Sequence, residues 1–371
     1  MKIAWYLPNG IDDVTYSRYL TQGIGGSEAH CLLFCRELAN QGHDVTIYGN
    51  VVLPEGEPVR FLHRNAIGNH DADVLVWHRK PEDEYLPLFE ELQYPRKILY
   101  QTDQYVNGSP AACKETWQKY LYAPAHKIIN FSYWAKEYIC AQYDVPAEKV
   151  IVFRNGLETE YYRDFTEAKY NADVVRFIYC SLPNRGLDNA MEIFPIVSER
   201  LQGKCELHIY GDYTMYGLDA HADAIRKYHA AWFKANPNAF YHGGVGHCEL
   251  ARAQLDAAIL FYPTFFRENC SSSIIECMLA GCVPVTSWLG GIPELVFTTV
   301  DGIVLHVADD VCFGIAGDEA KWEYHWRYID AIMNLCTDRE LLAEYGLMAR
   351  HLAHLRFNIK KQTKYLEAIL A

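Results

Sequence analysis

Apolar runs of strand length alternate with helical patterns along almost the whole chain. The N-terminal half contains the runs Ile3–Leu7, Val45–Tyr48, Val74–Trp77, Ile98–Tyr100, Ile128–Phe131 and Val150–Phe153. The C-terminal half repeats the pattern with Phe177–Cys180, Leu207–Tyr210, Ala239–His242, Ala258–Tyr262, Val283–Thr286 and Ile303–His306. Because these runs are apolar on both faces and are separated by segments of crossover length, they predict parallel sheets with helices on both sides.

A polar, tyrosine-rich tract lies between the two sets of runs. It covers Glu158–Asp173 and shows no apolar periodicity, which is typical of an inter-domain linker. The chain has 371 residues, too many for one ordinary hydrophobic core. We therefore predict two doubly wound α/β domains, one on either side of this tract.

Composition and charge narrow the possible classes of function. Half of the residues are hydrophobic and 22% are charged, which is typical of a globular protein. The 47 acidic residues outnumber the 34 basic ones, which argues against a nucleic-acid partner, because such binding starts from Lys and Arg at phosphates. The twelve cysteines contain no C-x-x-C pair, so we expect reduced thiols in a cytoplasmic protein. No apolar stretch approaches the roughly 18–20 residues of a membrane span.

Loops that connect strands to helices are the candidate sites, since ligands of open α/β sheets bind beyond the carboxyl ends of the strands. The first such loop ends in Gly23–Glu28, with the sequence Gly-Ile-Gly-Gly-Ser-Glu. Its glycines allow close approach to a ligand, and Ser27 is the expected N-cap of a helix whose amide end can bind an anion. The Asn-Gly turn in Arg154–Leu157 lies at the domain junction, which favours a place beside the ligand. The alternative for both loops is an ordinary turn.

Arg185 lies in the loop that follows the strand Phe177–Cys180. It precedes Gly186, and its guanidinium could bind a phosphate through two hydrogen bonds. The alternative is an exposed arginine beside a turn.

The strongest candidate loop follows the strand that ends at Tyr262. A helix is expected to start near Ser272, so the amides of Asn269–Ser273 would form a helix N-terminus that can hold a diphosphate. Glu268 lies on the loop and Glu276 about one turn inside the helix. Their carboxylates could accept hydrogen bonds from hydroxyls at the two ends of a sugar nucleotide. Without such a ligand, Glu276 is a helix former and Glu268 a solvated acid.

The ordered series of motifs resembles the retaining glycosyltransferases of the GT-B fold, of the family-4 type (glycosyl transferases group 1). The resemblance is carried by Gly25–Glu28, Ser132–Lys136, Arg154–Glu158, Arg185-Gly186, Ile209–Asp212, Glu268 with Glu276, Gly281–Val285 and Gly290–Glu294. It implies two Rossmann-like, doubly wound parallel-sheet domains that face a central cleft. Residues 1–165 would form the acceptor-side domain together with 346–371, which contain a returning helix over Arg350–Leu370. Residues 166–345 would form the domain that binds the nucleotide sugar.

The resemblance also implies roles for individual residues. Glu268, Arg185 and Asp103 would be the catalytic residues, with Glu268 at the sugar hydroxyls and Arg185 at the leaving diphosphate. Glu276 would hold the ribose of the donor. The other expected donor-binding residues, which act mainly through the backbone, are Gly25, Gly26, Asn269, Cys270, Ser271, Val245 and Gly211.

Two features depart from the family pattern, and a third resembles a metal-binding motif. Many members carry a His near the reaction centre, where this chain has Thr102 followed by Asp103; His78, at the end of the neighbouring strand, is a candidate replacement. Cys180 stands where the family often has a second basic residue. Asp71-Ala72-Asp73 has the spelling of a metal motif but leads into an apolar strand. We therefore expect neither a metal nor a cofactor.

The predicted reaction is transfer of a hexose, with retention of the anomeric configuration, from a nucleoside-diphosphate sugar of the GDP-mannose or UDP-glucose type. The acceptor would be a hydroxyl of a glycan, a lipid or a small molecule, bound near Pro8–Thr21 and Tyr105–Trp117. Peripheral membrane contact could involve Lys114, Lys119 and Lys127.

Other functions use the same scaffold, because a fold does not determine a function. A non-catalytic subunit that binds nucleotide sugars is suggested by the missing His, and a sugar-nucleotide epimerase is a further alternative. A phosphorylase is disfavoured, because neither Arg185-Gly186 nor the Glu268 loop contains a lysine for pyridoxal phosphate.

Overall fold

The chain divides into two compact units. The computed structural model describes residues 1–7, 14–50, 56–69, 72–79, 86–102, 110–214, 219–296 and 318–371. Unit 1 consists of residues 1–19, 24–158 and 357–371, and unit 2 of residues 20–23 and 159–356. The sequence prediction placed the two boundaries after residues 165 and 345.

Unit 1 is built on a seven-stranded parallel sheet. Its strands are β1 (Lys2–Tyr6), β2 (Asp44–Gly49), β3 (Arg60–His63), β4 (Val74–His78), β5 (Arg96–Tyr100), β6 (Lys127–Asn130) and β7 (Val150–Val152). Their order in the sheet is β3-β2-β1-β4-β5-β6-β7. The described helices before residue 158 are α1 (Tyr16–Thr21), α2 (Gly26–Asn40), α3 (Leu86–Glu91), α4 (Pro110–Trp117) and α5 (Tyr133–Tyr143).

Continuous apolar runs account for most of these strands. All five residues of β4 are buried, because helices cover both faces of a parallel sheet. Tyr6 stacks on Trp77 with 4.2 Å between ring centroids, which joins β1 to β4 in the core. The sequence did not predict β3, since this four-residue edge strand buries only Phe61.

Unit 2 is built on a five-stranded parallel sheet. Its strands are β8 (Val175–Cys180), β9 (Cys205–Tyr210), β10 (Ala239–Gly243), β11 (Ile259–Tyr262) and β12 (Val283–Thr286), in the order β10-β9-β8-β11-β12. Its described helices are α6 (Leu187–Arg200), α7 (Asp219–Ala235), α8 (His247–Asp256), α9 (Ser272–Leu279), α10 (Ile292–Val296), α11 (Asp318–Thr337) and α12 (Arg339–Arg356). The predicted strand Ile303–His306 lies outside the described residues.

The tract Glu158–Asp173 is not a free linker, and that interpretation of the sequence is wrong. It forms two 3₁₀ turns, Thr159–Tyr162 and Glu167–Asn171, which belong to unit 2. Tyr162 and Tyr170 are fully buried, and the Tyr170 hydroxyl donates a hydrogen bond to the carbonyl of Gly281 at 2.7 Å. Tyr162 and Tyr170 are therefore core residues, spaced for neither a helix nor a strand.

The C-terminal stretch Arg350–Leu370, predicted as one helix, is broken. The helix α12 ends at Arg356, and α13 (Ile359–Leu370) begins after Asn358, whose side chain accepts a hydrogen bond from the amide of Lys361. Helix α13 lies in unit 1, where a Cβ added at Gly156 would come 2.8 Å from Ile359 Cα. The glycine of the Asn-Gly turn is therefore explained by packing against α13.

None of the described helices is both long and apolar enough to cross a membrane.

Candidate functional site

Two neighbouring strands of unit 2 bring the predicted site residues to one edge of the sheet. Strand β8 pairs with β11, with Phe177 opposite Ile259. Their carboxyl ends, Cys180 and Tyr262, therefore lie at the same edge. The loop after β8 carries Arg185, and the loop after β11 carries Glu268 and leads into α9. This edge is where ligands of open α/β sheets bind.

Glu268 is held by a buried tyrosine. The Tyr262 hydroxyl donates a hydrogen bond to Oε1 of Glu268 at 2.7 Å, and the Ser181 hydroxyl donates to the Tyr262 oxygen at 3.4 Å. Burial raises the pKa of Glu268 from its ordinary value, while the positive charge of Arg185 and the Tyr262 hydrogen bond act in the opposite direction. Glu268 and Arg185, both predicted as catalytic, are thus electrostatic neighbours.

Arg185 is held against an aromatic ring and has a guanidinium nitrogen without a partner. It ends a 3₁₀ turn, Pro183–Arg185, and its Cζ lies 3.2 Å from the ring centroid of Phe266. Nη1 is buried, and no described atom accepts a hydrogen bond from it. Gly186 follows with φ +116°, and a Cβ there would come 2.5 Å from the Pro263 carbonyl oxygen. The loops after β8 and β11 thus pack together beside Arg185. Its buried N–H, which has no partner among the described atoms, is suited to bind an anionic oxygen of a ligand.

Glu276 lies in the second turn of α9 and is buried. The side-chain amide of Gln254 donates to its Oε2 at 3.2 Å, and the Tyr162 hydroxyl donates to Oε1 of Gln254 at 2.9 Å. Burial raises the pKa of Glu276 to about 7, against the smaller effect of the Gln254 hydrogen bond. His247 Nδ1 lies 3.9 Å from Oε1 of Glu276, but burial lowers the pKa of His247 to about 4, so the ring is neutral at pH 7.

The N-terminus of α9 faces the same edge of the sheet. Asn269 and Ser271 are buried, Cys270 is partly buried, and the side chain of the N-cap residue Ser271 makes no capping hydrogen bond. The Ser273 hydroxyl donates to the Cys180 carbonyl at 2.5 Å, which ties the helix to β8. The positive end of the helix dipole therefore lies beside the loops that carry Arg185 and Glu268.

Gly211 and Val245 also lie in loops at the carboxyl edge of this sheet. Gly211 has φ +107°, and a Cβ there would come 2.5 Å from the Ser181 carbonyl oxygen. Its amide donates to the Gly243 carbonyl at 2.8 Å, so the loops after β8, β9 and β10 pack against one another here. Val245 follows in the loop before α8 and is partly buried. Their contact with a donor stays a prediction.

The predicted residues of unit 1 are arranged differently from the expectation. Gly25 is the N-cap of α2 and Gly26 is its first residue, so the assignment of Ser27 as N-cap is wrong. Ser27 Oγ lies 2.8 Å from His78 Nε2 and 3.0 Å from Thr102 Oγ1. The contribution of Gly25 and Gly26 to donor binding stays a prediction, and Asp103 lies outside the described residues.

His78 is buried at the end of β4 and has a defined protonation state. The indole N–H of Trp5 can only donate, and it donates to His78 Nδ1 at 3.1 Å. Burial, with the charge of Arg79, lowers the pKa of His78 well below its ordinary value, so the ring is neutral. The proton is therefore on Nε2, which donates to Ser27. The structure places His78 in the core of unit 1, between Trp5 and Ser27, and its role as a replacement for the family's His stays a prediction.

In the possible metal motif Asp71-Ala72-Asp73, the side chain of Asp73 has a structural role. Oδ2 of Asp73 accepts a hydrogen bond from the backbone amide of Lys2 at 2.8 Å, at the edge of β1. Asp71 lies outside the described residues. Within the described ranges, no group of three His, Cys, Asp or Glu side chains is arranged to hold a metal ion.

Sequence reasoning missed the residues that support the two glutamates. Tyr262, Gln254 and Tyr162 lie in a strand, a helix and a presumed linker, and none belongs to a recognisable motif. One signal was available for Gln254, which shares the buried face of α8 with Ala251. A polar side chain on such a face needs a hydrogen-bond partner.

Comparison with known proteins gives a family match within the second unit and similar folds over the whole chain. Residues 174–316 match the family model described as glycosyl transferases group 1. The structure of HepE from Anabaena in complex with UDP and glucose is similar, with a TM-score of 0.69, 14% identity, and 100% of this chain and 99% of that chain covered. No curated protein matches the sequence significantly.

Two further solved structures show the same similarity over the full length. WaaG, a glycosyltransferase involved in lipopolysaccharide biosynthesis, has a TM-score of 0.67 and 14% identity, with 100% of this chain and 99% of that chain covered. The sucrose-phosphate synthase of Thermosynechococcus elongatus has a TM-score of 0.71 and 13% identity, with 100% and 98% covered.

Proposed function

We propose that this chain is a glycosyltransferase that transfers a hexose from a nucleoside-diphosphate sugar to a hydroxyl acceptor. The proposal is supported by the match of residues 174–316 to the family model of glycosyl transferases group 1 and by the GT-B fold. The donor is of the UDP-glucose or GDP-mannose type. The acceptor hydroxyl belongs to a glycan, a lipid or a small molecule. The anomeric configuration is retained, and no metal ion is required.

One observation carries this proposal: the groups at the carboxyl edge of unit 2 match the chemistry of a nucleotide sugar. Arg185 offers a buried, unpartnered N–H, and α9 offers the amides of its first turn, both suited to a diphosphate. Glu268 and Glu276 are acceptors for hydroxyls, one on the loop and one inside the helix. A nucleotide sugar carries hexose hydroxyls, a diphosphate and ribose hydroxyls in that order. Glu268 suits the hexose hydroxyls, Arg185 and the first turn of α9 suit the diphosphate, and Glu276 suits the ribose hydroxyls.

The same groups can assist departure of the diphosphate. In the reaction, the bond between the anomeric carbon and a diphosphate oxygen breaks, and a bond to the acceptor oxygen forms on the same face of the sugar. The diphosphate leaves with the bonding electrons, and its departing oxygen takes the proton that the acceptor hydroxyl gives up. Arg185 and the amide end of α9 stabilise the negative charge that develops on the leaving group, which is why a metal ion is not required.

UDP-glucose is the first donor to test. HepE has been solved in complex with UDP and glucose, and a second structure of that protein is a complex with UDP-glucose. GDP-mannose is the second donor. We further propose that Asp103 takes part in catalysis and that Gly25 and Gly26 take part in donor binding.

The test uses the full chain with UDP-glucose and GDP-mannose in titration calorimetry and thermal-shift measurements. A donor bound by the native state raises the melting temperature. Release of nucleoside diphosphate is then followed with candidate acceptors, and the anomeric proton of the product is assigned by NMR. Activity that persists in EDTA supports the metal-independent reaction, and an inverted product contradicts retention.

The variant Glu276→Ala is the negative control for this test, because we expect it to lose donor binding and turnover together. Binding without hydrolysis or transfer to any acceptor would favour a non-catalytic subunit. A sugar that changes configuration while it remains on the nucleotide would favour an epimerase.

A further inference from the structure

The carboxylate of Glu268 is held at one oxygen and accessible at the other. Oε1 accepts the hydrogen bond from Tyr262 at 2.7 Å. The described contacts include no hydrogen-bond partner for Oε2, and this atom is not among the buried unpartnered ones. Glu268 is partly exposed, so Oε2 is the oxygen that is left to accept a hydrogen bond from a ligand, while Tyr262 holds Oε1.

The direction of the hydrogen bonds is determined by the groups themselves. An ionised carboxylate can only accept, so the Tyr262 phenol donates to Oε1. The phenol oxygen then accepts the proton of the Ser181 hydroxyl at 3.4 Å. Burial and the charge of Glu268 raise the pKa of Tyr262 well above its ordinary value, so the phenol keeps its proton at any working pH.

The tyrosine is a rigid support for this bond. Tyr262 is the last residue of β11 and is fully buried, and its ring lies edge-on to that of Tyr179 with 5.9 Å between centroids. A phenylalanine would fill the same space without the hydroxyl. The function of the hydroxyl can thus be separated from that of the ring.

We propose that Tyr262 is a positioning residue that orients the Glu268 carboxylate so that Oε2 accepts a hydrogen bond from a hydroxyl of the transferred hexose. The inference rests on the proposed function, since it assigns the hexose to the exposed oxygen. It predicts a specific signature: loss of the tyrosine hydroxyl should affect ligands that carry the hexose and spare those that lack it.

A second signature is the pH dependence of activity. Among the described residues, the titratable groups that face Glu268 are Arg185 from the loop after β8, Tyr179 from β8 itself and Tyr262 from β11. The Tyr262 hydrogen bond lowers the pKa of Glu268. Its removal should raise that pKa and move the acid limb of kcat/KM towards higher pH.

The experiment compares Tyr262→Phe with Tyr328→Phe. Tyr328 is also fully buried, and its hydroxyl lies 3.0 Å from that of Tyr324 in α11, so it controls for loss of a buried hydroxyl. In Tyr262→Phe we expect binding of UDP-glucose to weaken by roughly 10- to 150-fold, as for one lost hydrogen bond to a charged group, and binding of UDP to change less than about 2-fold. Tyr328→Phe should change neither affinity.

A measurement without substrate separates this inference from the proposed function. In protein labelled with ¹³C at the glutamate carboxyls, with Glu268→Gln for assignment, Glu268 should titrate at higher pH in Tyr262→Phe than in the wild type. An unchanged titration, or an equal loss of UDP and UDP-glucose binding, would overturn the positioning role. If the titration shifts but the wild type binds neither UDP-glucose nor GDP-mannose, the proposed function fails, and the assignment of a hexose to Oε2 fails with it.

Discussion

The side-chain amide of Gln254 donates a hydrogen bond to Oε2 of Glu276 across 3.2 Å and partly offsets the effect of burial on this carboxyl. Gln254 is itself oriented by the hydroxyl of Tyr162 at 2.9 Å. Burial still prevails, and the pKa of Glu276 is raised to about 7. A buried acid that ionises near neutral pH has consequences for stability and for binding.

The stability of the protein should improve when Glu276 is made neutral. An unfolded glutamate has a pKa of about 4.3, so across the range from there to about 7 the folded carboxyl keeps a proton that the unfolded one has lost. The free energy of unfolding therefore decreases as pH rises through this range. We expect Glu276→Gln to be more stable than the wild type by about 1–3 kcal/mol at pH 8 and equally stable near pH 4. Urea denaturation at both pH values tests this, and a constant difference would contradict it.

Donor binding should depend on the same ionisation in the opposite direction. The ionised carboxylate of Glu276 is the better acceptor for ribose hydroxyls, and with a pKa of about 7 its ionised fraction rises roughly tenfold from pH 6 to pH 8. Affinity for UDP-glucose should increase by up to about tenfold over this interval. UDP-glucose is the suitable ligand, because its diphosphate does not ionise in this range. Calorimetry at a series of pH values measures the effect, and Glu276→Gln should bind weakly and without pH dependence.

Arg185 should be required because of its charge rather than its packing. In Arg185→Met the side chain can still cover the Phe266 ring, which the Cζ atom contacts at 3.2 Å, but the N–H groups for the diphosphate are lost. We expect kcat/KM to fall by roughly 100-fold or more. Arg200→Met is the matched control, since Arg200 also lies over an aromatic ring, that of Trp326, at 4.8 Å. Equal activities of the two variants in steady-state assays would exclude Arg185 from the site.

The sequence predicted the strands of both sheets well where burial on two faces produced a continuous apolar run, as in Val74–Trp77 and Val283–Thr286. It placed Arg185 and Glu268 on loops and Glu276 inside a helix, as the structure does, because glycine and proline mark these loops; their roles stay predictions. The tract around Tyr162 and Tyr170 was misinterpreted, since its apolar residues follow 3₁₀ turns and match neither the helical nor the strand period.

Partners that meet only in the folded chain could not be predicted in the same way. Gln254 and Glu276 are 22 residues apart on two helices, and their contact depends on how α8 and α9 pack around the sheet. Ser27 is a residue type that favours N-caps, but α2 already begins at Gly26, and the Ser27 hydroxyl is engaged by His78, 51 residues away. Local propensity predicts which hydrogen bonds a side chain is able to form, and tertiary contacts determine which of them it forms.

The tautomer of His78 gives a final prediction, in unit 1. Because the Trp5 indole donates to Nδ1 at 3.1 Å, the proton of the neutral ring is on Nε2, and long-range ¹H–¹⁵N spectra should show Nδ1 unprotonated. The pKa of His78 lies well below the ordinary value. Its ring ¹⁵N signals should therefore stay constant while exposed histidines titrate at about pH 6.5. Trp5→Phe removes the donor and should allow both tautomers, whereas Ser27→Ala should leave Nδ1 unprotonated. A protonated Nδ1 in the wild type would contradict the assigned direction of the Trp5–His78–Ser27 hydrogen bonds.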